Sequence, residues 1–262
     1  MGPETGPDFR NPLVTRLSRF VALTDRDLRA LDGLASAIER VEGRADIVAE
    51  GDTPGPAFVL LEGMACRYRL LADGRRQILG YIIPGDISDL YGFLCRTMDH
   101  SICAIVPTRI APVLRETASQ IMEDHPRVAA ALRLSAMQGE AMLREHLVAL
   151  GRRDARGRVA YLLCELVWRH MANGMSKSHA IELPLTQVEI ADTLGLTPVH
   201  VNRVLQEFRR TGLITLRHRR LTLLEMDNLQ KIAELSANYL QVDGLSKEVE
   251  HYLERLDRDN LR

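Results

Sequence analysis

No run of apolar residues in this 262-residue sequence approaches the roughly 20 needed to cross a bilayer. The first ten residues, Met1 to Arg10, are polar with Gly and Pro and lack the apolar core of a secretory signal. Cysteine is scarce: Cys66, Cys95, Cys103 and Cys164 form no Cys-x-x-Cys pair, so the expected setting is a reducing cytoplasm, with no metal site. Catalytic signatures are missing too. There is no Gly-x-Ser-x-Gly elbow, no phosphate-binding P-loop, no His-Glu-x-x-His and no convincing acid–base pair, so no enzyme is expected. Neither an internal repeat nor a low-complexity tract occurs. The apolar share, 46%, and the charged share, 26%, are those of an ordinary globular chain, and the length suits two domains.

Residue types and spacings converge between Leu183 and Arg220. Thr186-Gln187-Val188-Glu189 is a capping box, in which threonine and glutamate satisfy each other's backbone amides at a helix start. That helix stops at Gly195, and Thr197-Pro198 restarts one at once, with threonine as N-cap and proline at the first position, where its missing N–H costs nothing. Val201, Val204, Leu205 and Phe208 form the stripe predicted to be buried, and Thr211-Gly212 ends the helix. Two helices across so short a turn predict a helix-turn-helix, whose second helix can lie in a DNA major groove. From Leu196 to Arg220 six arginines face one acid, Glu207, so this window carries +5 within a chain of net charge −1. A basic island on a mildly acidic protein is the footprint of a phosphate-binding surface. Leu213–Leu216 and Leu221–Leu224 flank Arg217-His218-Arg219-Arg220, which reads as a hairpin with a basic tip, placed to touch the DNA backbone beside the groove. A surface helix pair with solvated arginines is the plain alternative.

Earlier in the chain, residues 12–41 are expected to be helical, with Leu13, Leu17, Phe20 and Leu23 on one face and Thr24 opening a second pattern. From Arg44 short apolar runs (Ala45–Ala49, Ala57–Leu61, Met64–Leu71, Gln77–Ile83, Ser101–Val106) alternate with turn signals, and Asp73-Gly74 is a strong hairpin signal. Residues 115–124 read as a short helix and Pro126–Leu150 as a long one. Its apolar positions Val128, Leu132, Ala136, Gly139, Leu143, Leu147 and Leu150 make a seam for a partner helix. Gly139 would weaken an isolated helix by about 1 kcal/mol, which close helix approach can offset. Gly151-Arg152-Arg153-Asp154 is expected to break the pattern, with Gly151 as a permissive joint and Asp154 as cap of the next helix, Arg158–Met171. Asp227 is expected to cap a helix through Leu235, and Leu245–Leu256 is a last amphipathic piece. The expected domains are a sensor unit at 12–125, a dimerisation helix and hinge at 126–151, a winged helix-turn-helix at 152–226 and a helical extension at 227–262.

Glu50-Gly51-Asp52, Leu60-Leu61-Glu62-Gly63, Asp73-Gly74-Arg75, Pro84-Gly85-Asp86 and the stretch Leu185–Leu216 stand in the order and spacing of one family. From Leu13 to Leu235 the chain resembles the regulators typified by the cyclic-AMP receptor protein and the fumarate-nitrate reductase regulator. The resemblance implies an α+β fold: a cyclic-nucleotide-binding-like β-roll of jelly-roll type, a long dimerisation helix and a C-terminal winged helix-turn-helix. It implies a bacterial, cytoplasmic homodimer that binds double-stranded DNA at a near-palindromic operator, regulates transcription and contacts RNA polymerase. The alternative is a cyclic-nucleotide-binding-like sensor module acting through protein partners.

Within that resemblance, Arg203 matches the family's base-reading arginine, able to pair with guanine O6 and N7, while Val199 stands where a glutamate is common. His200 and Asn202 are further base candidates. Gln187, Thr197, Arg209, Arg210 and Arg219 are assigned to phosphates, and Pro198 and His218 complete the expected surface. The effector pocket would involve Asp89, Leu90, Tyr91, His100 and Ser101, with Leu90 in place of the family's ribose-binding glutamate and His100 in place of its phosphate-binding arginine. Losing that forked, permanently charged donor argues against cyclic AMP. No cysteine precedes Cys66, so the N-terminal cysteine set of the iron–sulfur members is missing. Three readings of the signal stand side by side: a redox switch at Cys95 and Cys103, a haem held by residues such as His100, His146 or Cys95, or no ligand at all. The expectation is no cofactor and an effector of unknown identity.

Overall fold

In a computed structural model the described residues are 11–35, 37–240 and 247–259. The expected polar start, Met1 to Arg10, and Leu245 at the opening of the last helix lie outside them. Two helices come first, α1 (Pro12–Leu17) and α2 (Asp25–Leu34), the second opened by a capping box in which Thr24 and Asp27 bond each other's backbone N–H groups. The helical reading of residues 12–41 fails at its end, because Glu39–Val41 is an edge strand, β1, paired with a later strand. Seven more strands follow: β2 (Asp46–Val48), β3 (Ala57–Glu62), β4 (Ala65–Leu70), β5 (Arg76–Ile82), β6 (Ile87–Ser88), β7 (Ser101–Ala104) and β8 (Thr108–Val113). They form two antiparallel four-stranded sheets, in the orders β1-β8-β3-β6 and β2-β7-β4-β5.

Strand alternation gives each sheet two different faces. Phe58, Leu60, Ala65, Ile82, Ile102 and Ile110 close the space between the sheets. The outer face of the first sheet, with Val59, Leu61, Ala111 and Val113, packs under α1, α2 and the helices that follow. The outer face of the second, with Cys66, Ile78, Tyr81, Ile83, Cys103 and Ile105, joins the core of the C-terminal half. The β4–β5 hairpin turns at Asp73-Gly74, where Gly74 takes φ +84° and the Asp73 carboxylate accepts from the Arg75 backbone N–H at 3.1 Å.

α3 (Arg115–Asp124) leads into α4 (Pro126–Arg152), 27 residues long. The helix runs two residues past Leu150, through Gly151 to Arg152, and the break falls at Arg153 and Asp154, whose carboxylate accepts from Gly157 N–H at 2.7 Å to start α5 (Ala155–Ala172). The expected seam on α4 divides in two. Val128 and Leu132 are buried in the chain's own core, whereas Leu143 and Leu147 are 56% and 71% exposed beside exposed Met137 and Val148.

The C-terminal unit adds β9 (Ala180–Glu182), α6 (Gln187–Leu194), α7 (Pro198–Arg210), β10 (Ile214–Arg217), β11 (Arg220–Leu223) and α8 (Met226–Ala233). Asp227 does not cap α8. The cap position is Glu225, without a side-chain bond, and Asp227 lies in the first turn, where its charge suits the helix dipole. The chain then returns along α4 through a 3-10 turn, Ala237–Leu240, and α9 (Lys247–Asp259), which buries Leu253 beside α1 and α4 residues.

Candidate nucleic-acid interface

Four local devices fix α6 and α7. Thr186 and Glu189 complete the capping box of α6, with Thr186 N–H donating to Glu189 Oε2 at 2.7 Å. Gly195 ends it at φ +61°, a left-handed cap that suits glycine. Thr197 Oγ1 then accepts from His200 N–H at 3.3 Å and Pro198 occupies the first position of α7. Val201, Val204, Leu205 and Phe208 are all buried, so the opposite face is committed to solvent.

That outward face carries Val199, His200, Arg203, Gln206, Arg209 and Arg210, all exposed. Gln206, which the sequence reading passed over, lies three residues after Arg203 on the same face, a spacing that could have found it. Val199 is 76% exposed, an apolar group with no protein to cover it. Asn202 is half-buried and accepts from Gln187 Nε2 at 3.3 Å, which ties the start of α6 to α7. The lone acid, Glu207, is paired with Arg156 of α5 at 3.1 Å, so it subtracts little from the basic face.

Beyond α7 the wing is a three-stranded sheet in the order β10-β11-β9, one strand more than the sequence suggested. His218 and Arg219 form its two-residue tip with φ of +48° and +62°. Positive φ at both positions is the turn whose twist matches a two-stranded ribbon, and it holds both basic side chains at the exposed end. Gln187, Thr197, Pro198, His200, Arg203, Arg209, Arg210, His218 and Arg219 therefore all lie on exposed surface of α6, α7 and the wing.

The expected effector residues do not assemble as a group. Leu90 is buried in the core beneath α1, and Tyr91 is exposed with its hydroxyl 3.8 Å from Met122 Sδ. Ser101 pairs across the sheet with Tyr68 and accepts from Glu50 N–H at 2.9 Å, on the face opposite His100. Only Asp89 and His100 approach each other, together with Arg67, which the sequence did not single out. Cys95 is exposed, whereas Cys103 is buried on the outer face of its strand, directly across from Cys66 and not from Cys95. Burial pushes the Cys66 thiol up to about 12 and raises Cys103 as well. His146, held low by burial, packs near the Tyr161 ring of its own chain. Among the described residues no group of three or more His, Cys, Asp or Glu side chains could hold a metal ion.

The two halves meet through α6. Arg76 pairs with Asp192 at 2.9 Å, Gln77 Nε2 donates to the Thr193 carbonyl at 3.0 Å, and Tyr81 and Thr193 hydroxyls lie 2.6 Å apart. Arg44 reaches the second oxygen of Glu189, the capping carboxylate itself.

The family model of the Crp-like helix-turn-helix domain matches residues 157–232, and that of the cyclic nucleotide-binding domain matches residues 38–125. The nitrogen fixation regulation protein FixK of Bradyrhizobium diazoefficiens is 30% identical over 213 residues, covering 81% of this chain and 88% of FixK. FixK of Rhizobium meliloti is 33% identical over 177 residues, 67% of this chain and 76% of that protein. The solved structure of FixK2 from Bradyrhizobium japonicum superposes with a TM-score of 0.67 at 25% identity, covering 77% of this chain and 98% of that one. With the same two domains in the same order and a basic helix-turn-helix at the surface, this chain belongs to the CRP/FNR family of DNA-binding transcription regulators.

Proposed function

We propose that the protein acts in the cytoplasm as a homodimer, joined along the exposed half of α4, and sets α7 of each protomer into successive major grooves of a near-palindromic operator. The observation that carries this reading is the division of α7 into a buried apolar stripe and an outward face of Val199, His200, Arg203, Gln206 and Arg210. Arg203 is the guanine reader, since a guanidinium fork matches O6 and N7. Val199 and Gln206 flank it, and His200 lies a turn earlier. Gln187, Thr197, Arg209, Arg210, His218 and Arg219 bind phosphates. Thr197 spends a lone pair on the His200 amide and keeps its hydroxyl proton to donate outward. Half-sites then lie one helical turn apart, about 10 base pairs. The unit at 12–125 supplies the signal-responsive part and 152–226 the reading part. RNA polymerase is the partner through which bound protein changes transcription.

Selection from random duplex DNA by the reduced, ligand-free protein tests this. Enrichment of an inverted repeat is the expected result. Arg203→Ala should lose about 1–3 kcal/mol on that repeat and relax preference at one base pair. Arg210→Ala should weaken all duplexes alike and reduce the salt slope by about 0.9. Parent-like binding of every duplex by both variants would remove α7 from the groove.

A further inference from the structure

The match to the helix-turn-helix model ends at residue 232, yet the residues just beyond it reach both sides of the joint between α4 and α5. At Glu234 the backbone turns with φ +48°, a left-handed cap that costs a residue with a Cβ, and its carbonyl accepts from Arg153 Nη2 at 3.1 Å. Further on, the Tyr239 hydroxyl donates to Glu165 of α5 at 3.4 Å. Leu240 is buried, and its carbonyl accepts from Gln138 of α4. The segment 234–240 is thus tacked to the joint, to α5 and to α4 in turn.

Lengths show how closely the segment fits. From Gln138 to Arg153 the helix rises about 22 Å, whereas the six steps from Glu234 to Leu240 span about 20 Å fully extended, and less with the 3-10 turn at Ala237–Leu240. The side chains of Arg153 and Gln138 close the remainder, so the segment has no slack. Arg153 carries the other contacts of the joint: its guanidinium binds Glu145 of α4 and lies over the Tyr161 ring of α5, 5.3 Å from the centroid. Its Nε and Nη1 are sealed from solvent with no hydrogen-bond partner among the described residues. Two unmet buried donors are a cost, and the Glu234 carbonyl, Glu145 and the Tyr161 ring hold the arginine at the joint against it.

The sensor sheet grips the reading unit elsewhere, at α6, through Arg76 with Asp192 and Tyr81 with Thr193. One patch of contact on a jointed body acts as a pivot; a second tie across the joint fixes the angle. We propose that Glu234–Leu240 is a brace that fixes the angle between α4 and α5, and so the direction in which the helix-turn-helix unit faces. The orientation of the reading helix is then set by a segment outside both family models, with Arg153, Glu165 and Gln138 as its positioning residues.

Distances between spin labels test this on the full chain without DNA, so its failure leaves the reading of α7 untouched. The labels go on Gln120→Cys of α3 and Gln206→Cys of α7, both exposed, in a Cys95→Ser background, with excess unlabelled protein so that pairs within one protomer dominate. The parent should give one narrow distance. Tyr239→Ala/Leu240→Ala removes the hydroxyl and the buried side chain, whereas two glycines inserted between Leu235 and Ser236 keep every anchoring side chain and add about 7 Å of slack. Each change should at least double the width of the distribution while the protein still melts cooperatively. The insertion separates a brace from mere burial of Tyr239 and Leu240, which slack does not remove. A broad distribution in the parent overturns the proposal, as does a folded variant of either kind with the parent's mean distance and width. Hydrogen exchange on the parent needs no variant: residues 235–240 should be protected about tenfold or more over free-coil rates, and free-coil exchange there would show that nothing is braced.

Discussion

Val199 is the apolar member of the otherwise polar outward face of α7, and the apolar feature of the major groove it is proposed to meet is the thymine methyl. Replacing thymine by deoxyuracil at the selected operator, one position at a time, should weaken binding about fourfold at one position per half-site, the value of a buried methyl. Val199→Ala should erase that difference, while equal losses in both proteins would assign the methyl to another residue. The cysteines give a second expectation at this scale. Cys66, Cys103 and Cys164 are buried with thiols raised by burial, so a thiol reagent should label Cys95 alone in the native protein and all four after denaturation. Rapid native labelling of Cys103 would revive the Cys95–Cys103 switch. The sequence exposed Arg203 and its neighbours because helical period and caps are local signals. Arg67 escaped it because only the pairing of β4 with β7 carries it to His100. Cys95 and Cys103 looked like partners because they flank one segment, yet strand register sets Cys103 against Cys66.

At the scale of elements, Glu189 serves two structures at once: it caps α6 through one oxygen and receives Arg44, from the turn between β1 and β2, on the other. Thr186→Ala removes half of the capping box and should cost about 1 kcal/mol, seen as a melting temperature lower by about 2–4 °C. An unchanged melting temperature would mean that Arg44 alone holds Glu189 in place. The caps and hairpin turns were legible because each is written in three or four neighbouring residues. The strands that escaped notice lacked such marks. β6 has two residues and β1 and β9 three each, while β8 carries Pro112, which argues against a strand until its neighbours are known. The seam on α4 was read as one stripe, but its first turns are taken by the chain's own core, a competition that periodicity cannot reveal.

Across the whole molecule the two domains are not beads on a linker. Asp86, from the turn before β6, is buried between Arg16 of α1 at 2.8 Å and Arg169 of α5 at 2.5 Å. Burial alone would raise its pKa, yet Arg169 and Arg16 hold it below the ordinary value. Arg16 also donates to Gln138 of α4 at 2.7 Å, and Gln138 in turn donates to the Leu240 carbonyl of the C-terminal return. Five segments distant in sequence thus share one polar network. Arg169→Ala leaves Arg16 as the paired countercharge of Asp86 and strips Glu165 of its arginine, so a loss of about 3–5 kcal/mol is expected in chemical denaturation. A loss under 1 kcal/mol would show that the network relaxes around the gap.

The divided seam of α4 bears on how the regulator responds to its own abundance. In the proposed dimer, what is left of the seam is the exposed positions between Ala136 and Arg152, a helix length of about 25 Å. A contact of that length that dissociates at cellular levels would make pairing itself depend on protein level, seen as a sedimentation coefficient that rises with concentration. While unpaired chains dominate, the dimer grows as the square of their concentration, and so does occupancy of the operator. Doubling synthesis then brings a fourfold rise in bound promoters, a threshold set by mass action before any signal arrives.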